Sequence, residues 1–211
     1  MTAKTPVASK AKRKKSAGGT LLELAIIVVV ALLLALAIQA ILIKPYRIPS
    51  PSMEPTLDIN QRVLVNRIGH ELGDNPSVGD IVVFHPPAGA SSNTCGVRIQ
   101  RGQACAAPTA RESSDNFIKR VVAGPGDSIA IRDGRVIRNG KLQKESFIRP
   151  CAPGQDCNFP KPIRVPPGHW FMMGDNRGLS DDSRFWGPVP KSWIIGGAFA
   201  TYWPPDRIGF L

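Results

Sequence analysis

Histidine, cysteine and acidic residues are all scarce in this chain, and each scarcity narrows what it can do. There are three histidines, His70, His85 and His169. Each lies near turn residues and none lies in a motif, so surface or packing roles fit them better than catalysis. A Ser-His-Asp triad is not thereby excluded, because triads are assembled in space rather than along the chain. The four cysteines, Cys95, Cys105, Cys151 and Cys157, have no C-x2-C spacing and no histidine close by, which argues against a metal site. Four cysteines allow three pairings. Local bridges Cys95–Cys105 and Cys151–Cys157 are expected, each closing a short loop in a segment that lacks a core. An exported domain is where such bridges persist. No internal repeat is present.

Acids number 16 against 27 Lys and Arg, a net charge of +11. Residues 1–20 contain no acid and hold Lys4, Lys10, Lys12, Arg13, Lys14 and Lys15, so the tail accounts for six of those charges. Aromatic residues do not interleave with these lysines, which weakens a nucleic-acid reading. Long apolar runs are also absent, with one exception. From Leu24 to Ile43 only Gln39 is polar, and as a helix this run would match the roughly 30 Å hydrocarbon core of a bilayer. Thr20 and Glu23 have capping-box spacing at its start. A cleaved signal peptide is the alternative, but the run is longer than a signal h-region, and Ala35-Leu36-Ala37 lies inside it rather than after it. A retained signal-anchor is expected, with the basic tail cytoplasmic and the bulk of the chain outside. The tail would also attract anionic lipid, at about 1 kcal/mol per charge. The expected organisation is therefore a basic tail (1–20), a transmembrane signal-anchor helix (21–43) and an extracytoplasmic domain (44–211).

What remains is rich in glycine and proline, 20 of each, with short Val/Ile runs between them. That pattern predicts many short strands and turns. Strands are expected at 62–66, 80–84, 116–122, 163–165, 170–173 and 194–203. A hairpin is expected at 128–138 around Asp133-Gly134, with a second turn at Asn139-Gly140.

Three stretches carry chemistry. Ser50-Pro51-Ser52-Met53-Glu54-Pro55-Thr56-Leu57 sits just past the apolar run, and Pro49, Pro51 and Pro55 stiffen its backbone. A short hydroxyl side chain on a stiff backbone suits a positioned nucleophile; a proline-rich linker is the bland alternative. Phe117-Ile118-Lys119-Arg120-Val121-Val122 alternates, so Lys119 shares a face with Phe117 and Val121. Alone it would read as an exposed strand lysine. Gly174-Asp175-Asn176-Arg177-Gly178-Leu179-Ser180-Asp181-Asp182-Ser183-Arg184 would by itself be a polar surface loop.

In this order behind an apolar segment, the three resemble the motif boxes of type I signal peptidases, and Gly79-Asp80-Ile81-Val82-Val83-Phe84 matches a further box of that family. The resemblance implies a mainly β fold: one transmembrane helix, then an antiparallel, barrel-like catalytic domain. It implies a membrane-bound serine endopeptidase removing signal peptides from exported preproteins at A-x-A-like sites, with no cofactor, no metal and no nucleic-acid partner. Membrane lipid, and with it the export machinery, would be its surroundings. Ser52 would be the nucleophile and Lys119 its base. The Ser52 N–H and the Ser50 hydroxyl would form the oxyanion hole. Ser180 would hydrogen-bond the lysine, Asp182 and Arg184 would pair nearby, and Asp175 would shape the loop. Ile48, Pro49, Met53, Leu57, Phe117 and Ile118 would line the substrate pockets. Position 51, often glycine in relatives, is Pro51 here and cannot donate an N–H. Self-cleaving Ser/Lys repressors of the LexA type would need a DNA-binding domain, and none precedes Ser52. An anchored β-domain that binds a partner or lipid without catalysis is the rival from another class.

Overall fold

Turn residues divide the chain into strands of two to ten residues. A computed structural model describes residues 17–211, except for the side chains at 17–20, 37–42, 70 and 71. The elements in order are α1 (Ala17–Leu42), β1 (Ile43–Arg47), β2 (Arg62–Asn66), α2 (Ile68–Glu71), β3 (Ile81–Phe84), β4 (Phe117–Ala123), β5 (Ser128–Arg132), β6 (Arg135–Arg138), β7 (Lys141–Leu142), β8 (Phe159–Arg164), β9 (His169–Met173), α3 (Ser183–Trp186), β10 (Val189–Pro190), β11 (Ile194–Trp203) and β12 (Gly209–Phe210).

Helix α1 is already formed before Thr20, so Thr20 is not its N-cap. Leu21 to Leu36 are exposed along it. These sixteen residues would rise about 24 Å, and among the described residues no helix is long and apolar enough to cross a membrane. Most of the basic tail lies outside the described residues, as does the side chain of His70.

From Ile41 onward the chain forms one compact unit. Its larger sheet has the order β1-β2-β11-β3-β4-β9-β10, with β12 paired to β11. Every pairing is antiparallel. No pair joins β1 to β10, so the sheet is open rather than a closed barrel. A second sheet has the order β7-β6-β5-β8. Proline cannot donate to a ladder and belongs at sheet edges: Pro45 lies in edge strand β1, and Pro160 and Pro162 lie in edge strand β8. Both predicted hairpin turns have Asx-Gly pairs with positive φ, +49° and +73° at Asp133-Gly134 and +52° and +76° at Asn139-Gly140, as a type I′ turn requires.

The apolar strands pack into three clusters. One joins the second sheet to β4 and β9 through Val122, Ile129, Ile131, Val136, Ile163 and Phe171. Another gathers Val82, Phe84, Val121, Met172 and Trp186. The third gathers Ile48, Met53, Leu57, Val63, Val83 and Ile118. Strand β3 is buried throughout, with Val82 and Phe84 in one cluster and Val83 in another, so both faces of this central strand are covered.

Candidate active site

The Ser52 stretch forms a 3-10 turn over Pro51–Met53, with Pro51 in its first turn and Ser50 extended at its N-cap. Proline is tolerated there because its missing N–H would have had no helical partner. Met53 and Leu57 are fully buried beside Ile118, so the turn is nailed to the sheet by apolar contact. Strand β4 has β3 beside it along Phe117 to Arg120, but β9 pairs it only from Arg120 onward. The backbone from Phe117 to Lys119 therefore has an open edge, and the turn lies there.

Alternation sends Ile118 into the cluster that holds Met53 and turns Lys119 to the opposite face. Lys119 Nζ is 2.7 Å from Ser52 Oγ. Both residues are buried, at 4 % and 5 % exposure, and the lysine amine lies 5.6 Å from the centre of the Phe117 ring. Burial lowers the Lys119 pKa from 10.5 to about 8; Asp182, Asp181 and Asp175 pull it up and Arg184 pulls it down. The shift is worth about 3 kcal/mol against the charged form. About a tenth of the amine is then neutral at pH 7, and half at pH 8.

The Ser50 hydroxyl donates to Ser52 Oγ at 3.2 Å. The loop after β9 holds the turn from the other side: the Asn176 backbone N–H donates to the Ser52 carbonyl at 3.1 Å, and its side chain donates to the Pro51 carbonyl at 3.1 Å. The fit is close. A Cβ on Gly174 would sit 2.4 Å from the Ser52 carbonyl oxygen and 2.3 Å from Ser180 Oγ, so only glycine fits there.

Buried ion pairs fix this loop. Asp182 caps α3, accepts from Arg184 Nε at 2.7 Å and Nη2 at 2.8 Å, and accepts from the Gly174 N–H at 3.1 Å. Burial would raise its carboxyl pKa, but Arg184 and the Gly174 N–H outweigh burial and lower it. Arg184 Nη2 also donates to the carbonyls of Arg177 and Ser180. Asp175 accepts from Arg120 at 2.9 and 2.7 Å and from the Thr56 hydroxyl at 2.5 Å. Arg177 donates to the Gly174 carbonyl at 3.0 Å and to both oxygens of Glu145, at 3.1 and 2.6 Å. Glu145 in turn accepts the Val136 N–H at 2.9 Å, tying the second sheet to the loop.

Most of the site residues named from sequence therefore converge, with two departures. Ser180 Oγ is buried and has no hydrogen-bond partner, so the bond to Lys119 implied by the resemblance is not formed here. The apolar residues expected to line pockets are mostly core: Ile48, Met53 and Leu57 are at 1 % exposure or less and Ile118 at 8 %, while Pro49 is exposed and Phe117 partly so. Sequence reasoning missed Glu145, Thr56 and the role of Arg120. Glu145 and Thr56 sit in loops without periodicity, and no spacing rule pairs them with residues 32 and 119 positions away, respectively. The disulfides are Cys95–Cys105 and Cys151–Cys157. His85 and His169 face the carbonyls of Asp115 and Pro167 rather than Ser52.

The site thus sets a buried amine against a hydroxyl, beside a loop of paired charges. The chain belongs to the signal peptidase family, peptidase S26, whose profile matches residues 21–203. It is 36% identical to a probable signal peptidase I of Synechocystis over 95% of this chain and 81% of that protein. It is 35% identical to a signal peptidase I of Leptolyngbya laminosa over 100% of this chain and 93% of the relative. It is 32% identical to a signal peptidase I of Mycobacterium tuberculosis over 99% of this chain and 80% of the relative. The family and these relatives define a signal peptidase, a hydrolase.

Proposed function

We propose that this protein is a membrane-bound serine endopeptidase that removes signal peptides from exported preproteins through a Ser52/Lys119 dyad. The observation that carries the reading is the 2.7 Å contact between a buried Lys119 amine and Ser52 Oγ. The neutral amine takes the hydroxyl proton as Ser52 attacks the scissile carbonyl carbon. The oxyanion is received by the Ser52 N–H and by the Ser50 hydroxyl, which turns from Ser52 Oγ toward it. One such donor is worth about 3–4 kcal/mol. Collapse breaks the peptide bond, Lys119 returns its proton to the leaving amine, and an acyl-enzyme ester remains. Water, deprotonated by the same amine, then hydrolyses the ester and frees Ser52.

The open edge of β4 from Phe117 to Lys119 is where the substrate adds as a strand, its backbone bonded and its alternate side chains read by pockets. Positions −1 and −3 then share a face. Pro49 and Phe117 give these pockets their accessible walls. Ile48, Met53, Leu57 and Ile118 lie behind as a floor, and small residues such as alanine fit. Helix α1 with the basic tail is the single-pass anchor, tail inside and catalytic unit outside, which holds the site at the depth where the scissile bond leaves the lipid. The test is cleavage of an A-x-A preprotein by the purified full chain. Ser52→Ala and Lys119→Ala should each lose activity by several orders of magnitude, and the double variant should be no worse than either. Full activity in Lys119→Ala would overturn the dyad.

A further inference from the structure

The stretch that carries Ser52 is a closed loop. Its ends meet where the Ile48 N–H donates to the Gln61 carbonyl at 2.9 Å and the Asn60 N–H to the Ile48 carbonyl at 2.8 Å. Within it, Met53 and Leu57 are buried in an apolar cluster, and the Leu57 N–H donates to the Met53 carbonyl at 2.9 Å. Apolar burial fixes how deep a segment sits, but it is not directional and leaves rotation loosely set. Pro55 and Thr56 lie between these two anchors and are on the outer side, Pro55 exposed and Thr56 half-buried. Two contacts hold that side. The Thr56 hydroxyl donates to Asp175 at 2.5 Å. The carbonyls of Thr56 and Pro55 accept from Arg207 Nη2 at 3.2 and 3.3 Å, and Arg207 Nη1 lies 2.8 Å from the Asp58 carboxylate. Among the described residues no other donor reaches these two carbonyls.

Arg207 stands outside every motif read from the sequence. It belongs to the turn Pro205–Arg207 after β11 and reaches Thr56 across 151 positions. That turn is itself fixed. The Arg207 N–H donates to the Pro204 carbonyl at 3.0 Å, and the hydroxyl of buried Thr201, in β11, donates to the Arg207 carbonyl. Strand β11 is paired on both sides, with β2 and β3, and gives the arginine a firm base. The Arg207–Asp58 pair is 34 % and 50 % exposed, and pairs so exposed contribute little to stability. Its geometry is what sets it apart: one guanidinium spans a carboxylate and two successive carbonyls, which suits a planar fork and not a point charge. We propose that Arg207 is a positioning residue for Ser52, a claim that rests on the Ser52/Lys119 reading above. It fixes the rotation of residues 54–58 and, through them, of the turn Pro51–Met53, so that Ser52 Oγ keeps its 2.7 Å contact with Lys119 Nζ. Thr56 is the point of grip, held by the catalytic loop at its hydroxyl and by Arg207 at its carbonyl.

The experiment compares the full chain with its Arg207→Ala variant on one A-x-A preprotein. A misplacement on the order of 1 Å costs about 100-fold in rate; acting through the intervening residues, the variant should lose about tenfold in kcat with KM little changed. Hydrogen exchange reads the loop without any cleavage. The amides of Glu54 and Leu57, bonded to the Pro51 and Met53 carbonyls, should exchange several-fold faster in the variant, while those of β4 and β9 keep their rates and the urea midpoint holds. Arg138→Gln breaks another partly exposed ion pair, in the second sheet, and should leave both readouts as they are. Full kcat in Arg207→Ala overturns the proposal, as does unchanged exchange at residues 54 and 57. A rise in KM with kcat kept would assign Arg207 to substrate binding and overturns it too. So does a loss of kcat accompanied by faster exchange throughout β4 and β9, which would make Arg207 a stability residue, or an equal loss in Arg138→Gln. If the parent cuts no preprotein while the variant's loop exchanges faster, the peptidase reading fails and the clamp on the Ser52 loop stands.

Discussion

The turn around Ser52 and the loop from Gly174 to Arg184 meet at one point, yet they are held by opposite means. The turn is anchored by Ile48, Met53 and Leu57 in an apolar cluster, and its one charged residue, Glu54, points outward to Arg149. The loop is anchored by three ion pairs at low exposure, Asp182–Arg184, Asp175–Arg120 and Glu145–Arg177. The difference bears on Lys119, which lies between them. Burial beside the Phe117 ring and against Ser52 strips water from its amine and favours the neutral form. Carboxylates nearby would restore the proton, and the loop brings three of them within electrostatic reach. Two of the three, Asp182 and Asp175, are neutralised by an arginine. The loop can therefore be built of polar groups that fix backbone geometry without cancelling the desolvation of the buried amine.

Unpairing the loop is the severest way to break this contrast. Arg184→Met leaves Asp182 buried, without its bidentate partner. Removing one member of a buried pair costs about 3–5 kcal/mol, which urea denaturation would read. Lys119 would also lose the cation that helps hold its pKa down and gain an uncompensated carboxylate. Its pKa should rise, so the alkaline limb of kcat/KM against pH should move above its position near 8. A destabilised variant whose limb stays put would show that the pair serves the backbone alone.

Removing the lysine itself tests the apolar side. In the unfolded chain the amine titrates near 10.4; in the fold it titrates at about 8. Between these values the unfolded state binds more protons, so stability rises with pH. Below pH 8 both states are protonated and the burial penalty is fully present. Lys119→Met should therefore stabilise the fold at pH 7 by up to about 3 kcal/mol, less what is lost with the contact to Ser52. The gain should shrink through pH 8–10 and be gone above about 10.4. Parallel urea titrations of parent and variant at pH 7 and pH 10 would measure it. A variant less stable than the parent at pH 7 would mean the amine is not desolvated as its burial implies.

The turn side was far more legible in the sequence than the loop side. Prolines at 49, 51 and 55 marked a stiff backbone, and alternation through Phe117 to Val122 placed Lys119 correctly opposite Ile118. These are local rules acting over a few residues. The strands from β2 to β6 and both Asx-Gly turns were legible for the same reason. The loop's anchors were not, since Glu145 and Arg120 find their partners across 32 and 55 positions, and alternation gives Arg120 a face but not a partner. Strand β8 was only partly visible, because Pro160 and Pro162 read as loop until the sheet places them at an edge. Pocket residues were assigned from nearness to Ser52 and Lys119, and adjacency in sequence does not separate a pocket wall from the core behind it.

Ser180 gives the smallest and sharpest test, because it belongs to the loop yet touches the side where charge is excluded. Its hydroxyl is buried and unpartnered, confined by Gly174 at a separation that admits no Cβ. A buried hydroxyl without a partner costs about 1–3 kcal/mol, so Ser180→Ala should stabilise the fold by about 1 kcal/mol with little cavity, since only one oxygen is removed. If the hydroxyl stays apart from Lys119 during turnover, kcat/KM and its alkaline limb should hardly move. If it swings to the amine when substrate is bound, it supports the lysine while the lysine is a base, and the variant should lose kcat with KM unchanged. The two readouts separate the cases: stability gained with kcat kept marks a packing residue, and stability gained with kcat lost marks a positioning residue that the free enzyme holds in waiting. A variant that loses stability would contradict the unpartnered hydroxyl itself.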